Sequence, residues 1–120
     1  MKRLALIALL ASPAFAEEPV IEDVTLTRTA PETYTVSVTI RHPDTGWDHY
    51  ADGWRVLDMD GNELGMRLLY HPHVDEQPFT RSLGGVRIPA GTTEVQIQAR
   101  DLPAGWNAGT TVVAVPASSG

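Results

Sequence analysis

The clearest pattern in the chain is a strict alternation of apolar and polar residues over 33–41. Tyr34, Val36, Val38 and Ile40 occupy one phase of this run, and threonine, serine and arginine occupy the other. Successive side chains of a β-strand point to opposite faces, so the period of two predicts a strand with one buried face. The β-branched residues on both faces also favour extended structure.

Six further segments show β-type patterns, with proline or glycine between them. They cover 20–28, 53–59, 63–70, 79–88, 93–100 and 110–115. The turn at 60–62 contains glycine and asparagine, which tolerate the positive φ of a tight hairpin. In the segment that follows it, the pattern places Leu64, Met66, Leu68 and Tyr70 on one face. Because no segment after residue 16 has a helical period, we predict an all-β fold, a seven-stranded antiparallel sandwich.

The order and lengths of these strands resemble those of fibronectin type III and bacterial immunoglobulin-like domains. The segment RIPAGTTEVQIQARD, at 87–101, is similar to the part of those domains that leads from a proline-glycine turn into the sixth strand. Thr93 stands where the tyrosine corner of the family would place a tyrosine, and the immunoglobulin cysteines are absent. The resemblance implies a two-sheet sandwich and no particular activity, because this scaffold carries many unrelated functions.

The first sixteen residues have the pattern of a secretory signal peptide. A basic start at 1–3 precedes an apolar run at 4–11, and Ala14-Phe15-Ala16 fits a signal peptidase site. We therefore expect cleavage before Glu17 and a mature protein of one domain, 17–120, that is periplasmic or secreted and monomeric. The chain has no cysteine. The sequence thus predicts no disulfide and no lipid-anchored cysteine, and hence no membrane anchor after cleavage.

The charge of the predicted mature chain excludes two classes of partner. It contains seven arginines and no lysine against fifteen acidic residues, which gives a formal charge of −8. Nucleic acids and anionic lipid surfaces are bound through clustered basic residues. The sequence therefore argues against both.

The predicted topology places three loops at one end of the sandwich. If the strands run alternately up and down, the loops 42–52, 71–78 and 101–109 converge, and we refer to this end as the loop pole. All four histidines lie in the first two of these loops. Loops at one end of a rigid sandwich are common locations for function.

A metal site is one hypothesis for the loop pole. His71 and His73 are two residues apart in an extended segment, so their imidazoles face the same way and can share an ion. A four-coordinate site of nitrogen and oxygen ligands suits copper or zinc. The remaining ligands would come from the same pole: His42, His49, Asp44, Asp48 or Asp75. Alternatively, the histidines hydrogen-bond to backbone carbonyls and only brace the loops.

A second hypothesis concerns aromatic residues. Trp47, Tyr50 and Trp106 could form a platform for a sugar ring or for the side chains of a protein partner. The alternative is that they fold over the open end of the sandwich and cap its core. Arg81 lies beside the acidic segment 75–76 and the loop 42–52, and its pairing with a carboxylate would pin one loop to the other under either hypothesis.

Motifs of catalysis are absent from the sequence. There is no G-x-S-x-G serine, no cysteine nucleophile, no H-E-x-x-H pair, no phosphate loop and no dinucleotide fingerprint. We therefore predict no catalytic residues and a non-catalytic exported protein. Its loop pole would bind an unknown protein partner or a transition metal ion. The alternative is a pure protein or carbohydrate interaction module in which the histidines only brace the loops.

Overall fold

The computed structural model describes residues 17–117, so the predicted signal segment lies outside the described residues. These residues form eight β-strands. In chain order the strands are β1 (Val20–Ala30), β2 (Thr33–Arg41), β3 (Tyr50–Leu57), β4 (Glu63–Leu68), β5 (Phe79–Arg87), β6 (Glu94–Leu102), β7 (Gly105–Trp106) and β8 (Thr111–Ala114). Between 17 and 117 the chain contains no helix long and apolar enough to cross a membrane. The predicted all-β class is confirmed, with eight strands instead of seven.

Two antiparallel sheets make up the fold. The first has three strands in the order β1-β2-β5, and the second has five, in which β4-β3-β6-β7 are neighbours and β8 also pairs with β6. The inward-facing residues of the two sheets form one hydrophobic core, as the alternation in β2 and β6 predicts. Residues from both sheets in this core are at most 1% exposed: Val36, Val38 and Ile40 from β2, Trp54 and Val56 from β3, and Val95, Ile97 and Ala99 from β6.

The prediction that Leu64, Met66, Leu68 and Tyr70 share one face is wrong, because only Leu64 of these packs against the core. Leu68 and Tyr70 are 41% and 70% exposed, whereas Leu69 is only 4% exposed. The pairing of β3 with β4 has a register shift, which places an extra residue on β4. A shift of one residue exchanges the two faces of a strand, so every later position of β4 is reversed.

The segment 101–109 is not a plain loop. β6 continues to Leu102, and the short strand β7 then folds back to pair with Arg100 and Asp101. Gly105, in that turn, has φ of +89°, a left-handed conformation that favours glycine. A strand of two residues is too short to show a period in the sequence, which explains why the prediction lacked the eighth strand.

Candidate functional site

In β2 and in β6, the alternate positions that face the core continue at the loop pole with a buried polar residue. After Ile40 the phase of β2 continues to His42, and after Ala99 the phase of β6 continues to Asp101. The two residues are 1% and 2% exposed. β2 and β6 belong to different sheets, so the contact between the His42 imidazole and the Asp101 carboxylate joins the two sheets at this end of the core. His42 Nε2 lies 3.0 Å from Asp101 Oδ2.

Asp44 connects three segments of the loop pole. Its Oδ1 lies 2.5 Å from His42 Nδ1 and accepts the backbone N–H of Ala51 at 3.0 Å. Its Oδ2 accepts the backbone N–H of His73 at 2.8 Å. The carboxylate is fully buried. One side chain thus holds the end of β2, the start of β3 and the loop before β5 together. The contact of His42 with Asp101 adds the segment 101–109, so the three predicted loops converge.

Two carboxylates hold the ring of His42 in place. Each ring nitrogen faces a carboxylate oxygen, one from Asp44 and one from Asp101. Because a carboxylate oxygen only accepts, the N–H groups of the imidazole can supply hydrogen bonds that these buried carboxylates require.

His49 completes a cluster with His42 and Asp101. A tight turn carries it, in which Thr45 N donates to His49 O and His49 N donates to Gly46 O. Its ring lies 4.7 Å from the ring of His42, and its Nε2 lies 3.9 Å from Asp101 Oδ2. This Nε2 is buried and has no hydrogen-bond partner among the described residues. One potential ligand atom from each of the three side chains lies within 4.8 Å of the other two.

His73 has a different environment. Its ring stacks on Phe79 with centroids 3.9 Å apart, and its Nε2 lies 3.0 Å from Arg81 Nη2. A guanidinium only donates, so Nε2 is the acceptor and His73 is neutral. Burial lowers the pKa of His73, and the charge of Arg81 lowers it further. Gln77 ties this loop to β2, because its amide donates to His73 O and accepts from His42 N.

The side chains that meet at the loop pole differ from the pair His71 and His73, on which the metal hypothesis is based. His42, His49, Asp44 and His73 meet at the loop pole. His71 is exposed, with its Nδ1 3.2 Å from Pro72 O and its ring 4.7 Å from that of His73. Two of the candidate carboxylates, Asp48 and Asp75, are exposed.

Asp101 is the functional candidate that the sequence analysis missed. The signal was present, because Asp101 continues the inward phase of Val95, Ile97 and Ala99. The predicted sixth strand ends at Arg100, so Asp101 falls in the predicted loop. A charged residue in phase with three core positions is the pattern that would have identified it.

The aromatic candidates fall into two groups. Trp47 is 65% exposed and contacts Tyr50 edge-on, with centroids 5.7 Å apart. Trp106 is half-buried under Arg55, whose guanidinium carbon lies 3.9 Å from its ring centroid, and its ring is also 5.0 Å from Arg100. Arg81 pairs with the acidic segment, since its Nη2 lies 3.3 Å from Glu76 Oε1.

Comparison with known proteins gives one informative similarity. No family model and no solved structure matches the chain. A protein of Halomicrobium mukohataei named "Putative lipoprotein" is 40% identical over 93 residues, which make up 78% of this chain and 45% of that protein. The chain therefore spans less than half the length of this relative. The resemblance to fibronectin type III domains receives no support from these comparisons.

Proposed function

We propose that this is an exported, non-catalytic binding protein whose loop pole holds a transition metal ion, zinc or copper(II). One observation carries the proposal: the buried Nε2 of His49 has no hydrogen-bond partner among residues 17–117 and lies beside His42 and Asp101. A buried polar atom without a partner is costly, and a bound ion would satisfy it. Two imidazoles and a carboxylate are the nitrogen and oxygen ligands that both metals accept.

Asp44 supports the same proposal. Imidazoles that bind metals usually donate their other ring N–H to a carboxylate, which fixes the orientation of the ring. His42 has this arrangement, with Nδ1 directed at Asp44 and Nε2 directed at the cluster. A ring already held in place loses little entropy when an ion binds. The other histidine with a fixed ring, His73, directs its Nε2 at Arg81 instead.

Export is supported by two observations. The first is the signal-like pattern of residues 1–16. The second is the name of the Halomicrobium mukohataei protein, since lipoproteins are exported proteins. We extend only this general location to the present chain, because it contains no cysteine to carry a lipid. A non-catalytic role is supported by the absence of nucleophile and cofactor motifs from the sequence.

Calorimetric titration of the purified mature protein with zinc or copper(II) tests the metal proposal. We expect one ion per chain, with a Kd of about 1 μM or tighter. Replacing His49→Ala removes a ligand and should weaken binding by at least about 100-fold, the upper range for losing only an orienting residue. His71→Ala is the matched control, since this exposed histidine lies in the same pole and should leave the affinity unchanged.

Two results would contradict the metal proposal. Binding weaker than about 1 mM would mean that the cluster is not a metal site at all. An equal loss of affinity in His49→Ala and His71→Ala would mean that the ion binds to exposed histidines instead of the cluster.

A second candidate function is a pure interaction module. The observation in its favour is Trp47, a large side chain that is mostly exposed and braced edge-on by Tyr50. Tryptophan brings a large contact area at low entropic cost and is frequent among the residues that dominate interfaces. Under this proposal the buried histidines serve only to stiffen the loops.

A pull-down from an extract of the cell envelope separates the two functions. The interaction module predicts a protein whose recovery falls at least about tenfold with Trp47→Ala, because residues of this kind contribute 2 kcal/mol or more to binding. Recovery should be unaffected by a chelator and by His49→Ala. Loss with the chelator alone would favour the metal instead.

A further inference from the structure

We propose that the Asp60-Gly61 pair, in the turn between β3 and β4, is a site of spontaneous isoaspartate formation. The chain contains a second pair of the same type, Asp52-Gly53, which the fold protects from this modification. The proposal does not depend on metal binding, because the length of β3 separates the turn from the loop pole.

The reaction needs only the two residues of the pair and water. The backbone nitrogen of the glycine attacks the side-chain carboxyl carbon of the aspartate, and a C–N bond forms as a C–O bond breaks. The amide hydrogen and the carboxyl O–H leave together as water, and the product is a succinimide ring. Water then opens the ring at either carbonyl, which gives back aspartate or places the side-chain methylene in the main chain as isoaspartate. The step is intramolecular, and a glycine nitrogen is the least hindered nucleophile for it.

The turn leaves Asp60 and Gly61 open to this reaction. Both residues are exposed. Apart from its chain neighbours, no described atom lies within 4 Å of the position that a Cβ would take at Gly61, which has φ of +90°. The backbone N–H of Gly61 donates to Asp58 O at 3.1 Å. A hydrogen bond at the tip of a hairpin opens at a small free-energy cost, so the nitrogen becomes available for attack.

The strand environment of Asp52-Gly53 opposes the same reaction. The carboxylate of Asp52 accepts from Arg100 Nε at 3.1 Å, and its side chain is only 12% exposed. Gly53 is buried in β3, opposite Leu68 of β4 and Arg100 of β6. Movement of this backbone towards the carboxyl group would break pairing on both sides of the strand. Core strands open only at free energies close to that of global unfolding, so the fold protects this pair.

The modification would change the turn that carries it. Asp58 holds this turn together, because its Oδ1 accepts the backbone N–H of Asp60 at 2.9 Å and that of Asn62 at 2.8 Å. Isoaspartate adds one carbon to the main chain between these two donors. Both cannot keep their present positions, so the modification loosens the tip of the hairpin.

The test incubates the folded mature protein near neutral pH in water enriched in oxygen-18 and then compares two tryptic peptides. Cleavage after arginine, in ordinary water, gives the peptides 42–55 and 56–67, each with one Asp-Gly pair. Opening of the succinimide leaves one heavy oxygen in the peptide, and fragmentation identifies the residue that carries it. Labelling should be at least about tenfold faster in 56–67 than in 42–55, equivalent to a barrier lower by about 1.4 kcal/mol. Asp60→Glu should abolish the signal in 56–67, because the longer side chain closes its ring far more slowly.

Incubation in urea is the control for the role of the fold. The unfolded chain should label both peptides at similar rates, because the protection of Asp52-Gly53 is then lost. Equal labelling of the two peptides in the folded protein would overturn the proposal, since β3 would give no protection. Labelling of 56–67 only after unfolding would also overturn it, since the turn would then hold the nitrogen of Gly61 away from the carboxyl carbon.

Discussion

Asp44→Ala is expected to lower the free energy of unfolding by about 3–5 kcal/mol, because it leaves three buried hydrogen-bond donors without their acceptor. This is a large share of the stability of a small domain, which is typically about 5–15 kcal/mol. Chemical denaturation with urea, followed by tryptophan fluorescence, measures the change. We expect a lower midpoint with an unchanged slope.

The reason for so large an effect is the number of groups that depend on one carboxylate. Without it, the backbone N–H groups of Ala51 and His73 lose their acceptor in a buried region, and His42 loses one of its two carboxylates. Each unsatisfied buried donor costs about 1–3 kcal/mol. The three donors come from different segments, so the alanine variant also loosens the loops from each other.

Two controls make this prediction specific. Asp44→Asn keeps one oxygen acceptor and the size of the side chain, so its loss should be smaller than that of alanine. Asp75→Ala removes an exposed carboxylate of the same pole and should change the free energy by no more than about 0.5 kcal/mol. An Asp44→Ala protein as stable as Asp75→Ala would mean that the loop pole does not depend on this carboxylate.

The fold could be predicted from the sequence where one face of a strand is buried. The alternation in β2 and β6 identifies core residues such as Val36, Val38 and Ile97 directly, because burial of one face imposes a period of two. The faces of β4 could not be predicted, because the register shift opposite Leu57 follows from how two strands pair. No local pattern in 63–70 records that shift.

The location of the site could be predicted from the sequence, but the residues that form it could not. Connectivity alone places three loops at one pole, and the contacts of Asp44 with His73 and of His42 with Asp101 show them together. Which histidines meet depends on the directions of their side chains. The spacing of His71 and His73 favours a shared face, yet Phe79 and Arg81 engage the second ring while the first remains exposed. Those contacts come from β5, beyond the reach of a local spacing argument.

His73 is expected to make the protein less stable in mild acid. Its pKa lies below 6.5 in the folded protein, because burial first, and then Arg81 and His71, disfavour the cation more than Glu76 and Asp44 favour it. The unfolded chain takes up the proton near pH 6.5, so below this pH it binds more protons than the folded chain. The stability contributed by neutral His73 is therefore complete above pH 6.5 and is lost as the pH falls through the lower folded pKa.

Urea denaturation at a series of pH values between about 7.5 and 5 isolates this contribution when wild type is compared with His73→Gln. Glutamine does not titrate in this range, and its amide oxygen can still accept from Arg81, so the variant should lose less stability on acidification than wild type. His71→Gln removes the exposed neighbour and should retain most of the acid sensitivity. An identical pH dependence in wild type and His73→Gln would assign that sensitivity to other groups. The expected difference instead makes the contact between His73 and Arg81 the acid-sensitive link between β5 and the loop pole. At lower pH this loop should open before the core, because all core residues except Tyr34 are apolar and carry no titratable group.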